Sequence, residues 1–114
     1  MADTTNIEMV TIYNNKGIKA TLNYLSDEIR LYLYDTDGEY IDDWAFDIGQ
    51  DISDFIKKLI NGLDTVSIKD FFEKGFNRKV IENATIQQWI EAKAYYGEEY
   101  VNRVNNNLII MIEY

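Results

Sequence analysis

The carboxylates between Asp35 and Asp54 are the residues of this chain best suited to chemistry. The segment holds Asp35, Asp37, Glu39, Asp42, Asp43, Asp47, Asp51 and Asp54, and neither Lys nor Arg. Acids at that density can hold a metal ion, carry out acid–base catalysis or attract a basic surface. Spacing separates the three. Asp35-Thr36-Asp37-Gly38-Glu39 starts like a calcium loop, but its Gly comes two positions early, and Phe46 stands where a bidentate carboxylate is required. Asp42 and Asp43 are neighbours in a strand-like stretch, so they point to opposite faces and cannot flank one glycosidic bond.

The rest of the chain adds no reactive group. There is no His and no Cys, which removes the usual bases and nucleophiles. Ser26, Ser53 and Ser67 stand at turn or cap positions without a lysine at catalytic spacing, and no glycine-rich phosphate loop is present. The expectation is a protein that is not an enzyme, with no catalytic residue, no metal site and no cofactor.

The third use of the acids remains. The chain carries 20 acids and 11 bases, a net charge of −9. Its acidic window alone supplies −8 of that, so elsewhere acids and bases almost balance. Such a one-sided field favours a basic partner and repels nucleic acid, which carries one charge per ~1.7 Å of duplex. A row of carboxylates can also imitate phosphates. Alternate strand residues lie about 6.6 Å apart on one face, which spaces Glu39 and Asp43 by roughly 13 Å. Asp35 and Asp37 at a turn, and Asp47, Asp51 and Asp54 at a helix entrance, could extend the row, and whether they align is left to the tertiary fold. A plainer account covers five of the eight: turns favour Asp35 and Asp37, and helix N-termini favour Asp47, Asp51 and Asp54. Glu39, Asp42 and Asp43 are left over. Nine tyrosines are the second unusual feature. Tyr32 and Tyr34 fall opposite the apolar face of their strand, and Tyr95, Tyr96 and Tyr100 cluster near a helix end, as at protein interfaces; a second packed face of the sheet accounts for Tyr32 and Tyr34 equally well.

These residues need a scaffold, and hydropathy supplies its outline. Residues 7–13, 18–24, 28–34 and 39–46 read as β-strands, the middle two by strict alternation, and form an antiparallel meander. In the fourth strand Tyr40, Asp42, Trp44 and Phe46 share the inward face. From Asp47 the period lengthens. Ile52, Phe55, Ile56, Leu59 and Ile60 mark a helix closed by Gly62. Ser67-Ile68-Lys69-Asp70 opens a short second helix ending at Gly75, and Thr85-Ile86-Gln87-Gln88 opens a third through Tyr96. Asn105-Asn106-Asn107 breaks the chain before a final apolar strand, Leu108 to Glu113, expected at the centre of the sheet. The predicted fold is one compact α+β domain over residues 1–114. An antiparallel sheet of four N-terminal strands plus the C-terminal strand carries three helices on one face.

The chain lacks Pro, Cys and His, and has sixteen Ile, eleven Asn and eight Lys against three Arg. That usage fits the AT-rich coding of a low-GC bacterium, its phage or a mobile element. The N-terminus lacks a signal-peptide pattern, and the longest apolar stretch, Leu108 to Ile112, is too short to span a bilayer. A location in the cytoplasm of a bacterial host cell is expected. With DTDGEYIDDWAFDIGQDISD as its core, the composition and charge placement resemble those of small inhibitors of the anti-CRISPR and anti-restriction type carried by phages and mobile elements. The resemblance includes no motif. It implies stoichiometric inhibition of a nucleic-acid-handling enzyme, foremost an RNA-guided nuclease, by occupying its basic channel. The implied partner is a basic nucleic-acid-binding protein or ribonucleoprotein, with no direct contact to nucleic acid or membrane. The alternative function is an interaction, assembly or immunity protein using a Tyr-rich surface.

Overall fold

A computed structural model describes residues 6–112, with side chains described from Glu8 onward. The chain divides into two compact units, residues 1–57 and 58–114, and the division falls inside a helix.

The first unit is the expected meander. Strands β1 (Asn6–Asn15), β2 (Ile18–Leu25), β3 (Glu28–Tyr34) and β4 (Tyr40–Asp47) pair antiparallel in sequence order. The β1–β2 turn places Lys16 and Gly17 at φ 56° and 81°, the paired positive values of a two-residue hairpin. Register then sorts the alternating sequence into two faces. Leu22–Leu31–Trp44 and Tyr24–Ile29–Phe46 align on one face, while Thr21–Tyr32–Asp43 and Asn23–Arg30–Ala45 align on the other. On the apolar face Ala20, Leu31 and Leu33 are fully buried. The first turn of α1 (Ser53–Thr65) sets the Phe55 ring edge-on to Trp44 and Phe46, at centroid distances of 5.3 and 5.1 Å. That is the favoured aromatic geometry.

One side chain of β4 departs from the expected alternation. Tyr34 pairs with Tyr40 but Leu33 pairs with Asp42, so Ile41 is an extra residue in the strand. A β-bulge re-aims the side chains beside it. Ile41 is buried at 2% exposure, and Tyr40, expected inward, is 50% exposed on the polar face. Asp42, Trp44 and Phe46, beyond the bulge, keep the expected side.

The second unit begins with the rest of α1, where Leu59 and Leu63 are buried. The helix runs past Gly62 to Thr65. A Cβ at Gly62 would lie 3.3 Å from the Phe71 ring, so this glycine admits a close neighbour instead of ending the helix. Helix α2 (Ile68–Gly75) starts at Ser67, whose hydroxyl accepts from Asp70 N at 3.1 Å. Phe71, Phe72 and Phe76 pack together, with centroids 5.0–5.6 Å apart. Then follow β5 (Arg78–Ile81), α3 (Ile86–Tyr96), a 3-10 turn at Glu98–Tyr100, β6 (Val101–Val104) and β7 (Asn107–Met111). The capping box before α3 is complete: Thr85 and Gln88 exchange side-chain–backbone bonds of 2.8 and 3.1 Å.

The C-terminal strand is central, as expected, but in a sheet of its own. β7 lies between β5 and β6 in a three-stranded antiparallel sheet and does not join the meander. Leu108, Ile109 and Ile110 are buried in succession, which explains the unbroken apolar run. Helix α2 packs on β5 and α3 on β6. Ala92 on α3 joins Val101, Leu108 and Ile110 in one apolar cluster, with Ile81, Ala84 and Trp89 against it. The α+β class holds, with the strands divided between two sheets. Glu113, the last residue of the expected strand, lies outside the described residues. Among those residues no helix is long and apolar enough to cross a membrane.

Candidate functional site

The eight acids separate into three groups along β4, an edge strand of the first sheet. Asp35, Asp37 and Glu39 fold into the β3–β4 turn. Asp35 is only 6% exposed, and its Oδ1 accepts from Asp37 N and Glu39 N at 2.9 Å each. This carboxylate builds the turn. Asp37 and Glu39 are exposed around it.

Asp42 and Asp43 take opposite faces, as alternation requires. Asp42 lies on the Trp44 side, half-buried, and its Oδ1 accepts from Asp43 N at 2.8 Å. Asp43 lies on the polar face, where Arg30 Nη1 donates to its Oδ2 at 2.8 Å and the Tyr40 hydroxyl donates to its Oδ1. Arg30 also donates through Nε to Glu28. The Glu28 hydrogen bond and charge, with the Asp43 charge, raise the guanidinium pKa above its ordinary value. Arg30, on β3 outside the window, is therefore a cation shared between Glu28 and Asp43. Sequence reading missed it. Its only signal was its place opposite Ile29 and Leu31.

Asp47, Asp51 and Asp54 gather at the far end of β4, roughly 23 Å from its start at the usual strand rise. Asp51 Oδ1 accepts from Ser53 Oγ at 2.6 Å and Ser53 N at 3.0 Å. Those two bonds, the hydroxyl's first, lower the Asp51 pKa. Asp47 N donates to Gln50 Oε1 at 3.3 Å and Asp47 O accepts from Gln50 N at 3.0 Å, closing a turn. Asp54 sits in the first turn of α1, where the helix dipole favours it. The evenly spaced row does not form. Glu39 belongs to the turn and not the strand, the bulge breaks the spacing to Asp43, and two exposed acidic ends flank a paired middle.

The polar face between those ends is aromatic. Tyr32 stacks on Tyr34 with centroids 6.0 Å apart and planes at 23°, and Tyr40 meets Tyr32 edge-on at 6.4 Å. The bulge at Ile41 brings Tyr40 into this row. Beside it Thr21 and Asn23 are buried, with Asn23 Nδ2 donating to Thr21 Oγ1 at 3.0 Å.

In the second unit Tyr95 is 82% exposed and edge-on to Tyr96 at 4.8 Å. Ile86 and Ile90 are exposed on the same helix. Trp89 carries Lys93 Nζ at 4.1 Å and Arg103 Cζ at 4.9 Å from its ring centroid. Both contacts orient polar side chains over the apolar cluster. Among the described residues no group of three or more His, Cys, Asp or Glu is placed to hold a metal ion. Comparison with known proteins returns no match to any family model, curated protein or solved structure.

Proposed function

We propose that this protein is a non-catalytic binder that occupies a basic surface of a nucleic-acid-handling enzyme, an RNA-guided nuclease foremost, and inhibits it by stoichiometric contact. The observation that supports this reading most is the β3–β4 hairpin. It presents Asp37 and Glu39 at an exposed tip, in a window of eight acids without a base, next to a row of three tyrosines. Acids steer the encounter with a basic partner, and aromatic rings supply the short-range contact. Edge-strand charges also discourage sheet-to-sheet aggregation, a role that needs no partner.

Charge reversal separates the two roles. Asp37→Lys with Glu39→Lys changes only exposed turn positions, and Glu98→Lys with Glu99→Lys in the second unit is the control of equal charge. A guide-loaded RNA-guided nuclease, assayed for DNA binding by gel shift, should be blocked by the wild type and by the control but not by the hairpin variant. The block should weaken as salt rises. Normal DNA binding in the presence of a large molar excess of the wild type would overturn the reading. Equal loss from both variants would reduce it to net charge alone.

A second reading is favoured by Tyr95, Ile86 and Ile90, whose exposure gives α3 an aromatic and aliphatic outer surface. An interaction or assembly protein working through that surface would bind with little dependence on salt.

A further inference from the structure

On the polar face of the first sheet a cleft of about 400 Å³ opens between the β1–β2 and β3–β4 hairpin tips. The tips are held together where Thr36 Oγ1 donates to Gly17 O at 3.3 Å. Tyr34, Asp35, Thr21 and Lys19 are among its walls. Tyr34 is also the end of the tyrosine row, so one aromatic ring of that row borders the cleft. Asp35, next to Tyr34 in the chain, is a buried part of the same lining, and the exposed Asp37 and Glu39 follow it in the turn.

An aromatic face beside negative charge selects among cations. An ammonium is compact and strongly hydrated, and gains little from a flat wall. A guanidinium is planar and weakly hydrated, stacks on a ring, and brings five donors for hydroxyl and carbonyl acceptors. We infer that this cleft seats an arginine side chain of the basic partner, its guanidinium on the Tyr34 ring and beside the Asp35 charge. The inference rests on the proposed function and names the group of the partner that the hairpin takes. Lys19 opposes the incoming charge, so it limits affinity, and reversing its charge tests the sign of the occupant.

Labelled nonamers of arginine and of lysine, titrated by fluorescence anisotropy at matched salt, test the assignment. Both peptides should bind the wild type, the arginine peptide roughly two- to fivefold tighter, the range a surface cation–π contact provides. Tyr34→Leu should remove the difference between the two peptides, while Tyr34→Phe, which keeps the ring, should preserve it. Lys19→Glu should tighten both. Equal binding of the two peptides by a folded wild type overturns the cleft assignment and leaves the acidic reading standing. Weaker binding by Lys19→Glu also overturns it, since the occupant would then be an anion. No binding of either peptide at low salt overturns the acidic reading and the inference together.

Discussion

On β3 buried aliphatics alternate with half-buried arginine and tyrosine, whereas on β7 Leu108, Ile109 and Ile110 are buried one after another. β3 thus keeps one face for polar groups, and the middle of β7 buries both. A sheet with both faces buried has no site to offer, because every substitution on it is felt in packing. A sheet with one polar face can carry Tyr32, Tyr34 and Tyr40 there while Leu31 and Leu33 hold the strand in place from the other side. On the proposed reading binding falls to the first sheet for that reason, while β7 contributes packing.

The sharpest way to break this comparison is to truncate one residue on each sheet. Ile109→Ala in β7 should cost about 2–5 kcal/mol, the transfer of a large aliphatic side chain plus the cavity it leaves. Lys19→Thr, on the polar face of β2, should stay within about ±0.5 kcal/mol. Urea midpoints at an unchanged slope measure both. Similar costs at the two positions would mean that the polar face is as tightly packed as β7, and the case for an available surface would fail.

Within the acidic window the same contrast recurs on a smaller scale. Asp35 bonds two backbone N–H groups and is buried, while Glu39 is exposed. Asp35→Ala should therefore cost about 1–3 kcal/mol by leaving turn donors unpaired, even though it relieves charge repulsion. Glu39→Gln removes the same unit of charge and should stay within about ±0.5 kcal/mol. Thermal melts of both variants check the pair. If both variants melt at a higher temperature than the wild type, repulsion among the acids dominates the turn, and Asp35 is not its keystone.

What the sequence disclosed follows the strength of each local signal. Strict alternation over Ile18–Tyr24 and Glu28–Tyr34 marked two strands and their faces, since a half-buried strand must alternate. Thr85 and Gln88 marked the start of α3 because a capping box is a local contact. Arg78–Ile81 and Val101–Val104 were not legible. Each is four residues long, too short to display a period, and each exists only because β7 pairs with it. Tyr40 was misplaced because a bulge inserts one residue without changing composition. Of the candidate site, the acidic window and the outward Tyr32 and Tyr34 were visible in advance. The pairing of Asp43 with Arg30 was not, because it joins residues thirteen apart in the chain through a register that only the folded sheet defines.

The smallest expected effect concerns Asp51 at the acidic end nearest α1, and it distinguishes an acid used for folding from one kept for a partner. Its carboxylate accepts from both Ser53 Oγ and Ser53 N, which lowers its pKa from the ordinary value of 3.8. A depressed folded-state pKa means that the charged form is favoured by folding. The contribution is fully present above pH 3.8 and fades as pH falls through the lower folded value. Asp51→Asn keeps an oxygen that can accept from Ser53 but removes the charge. Near neutral pH the variant should be slightly less stable than the wild type, and the gap should close as the pH is taken below the ordinary carboxylate range. Urea midpoints across that interval provide the measurement. A gap that stays constant from neutral to strongly acidic pH would show that the Ser53 bonds do not depend on ionised Asp51. The residue would then join Asp37 and Glu39 as an exposed acid available to a basic partner.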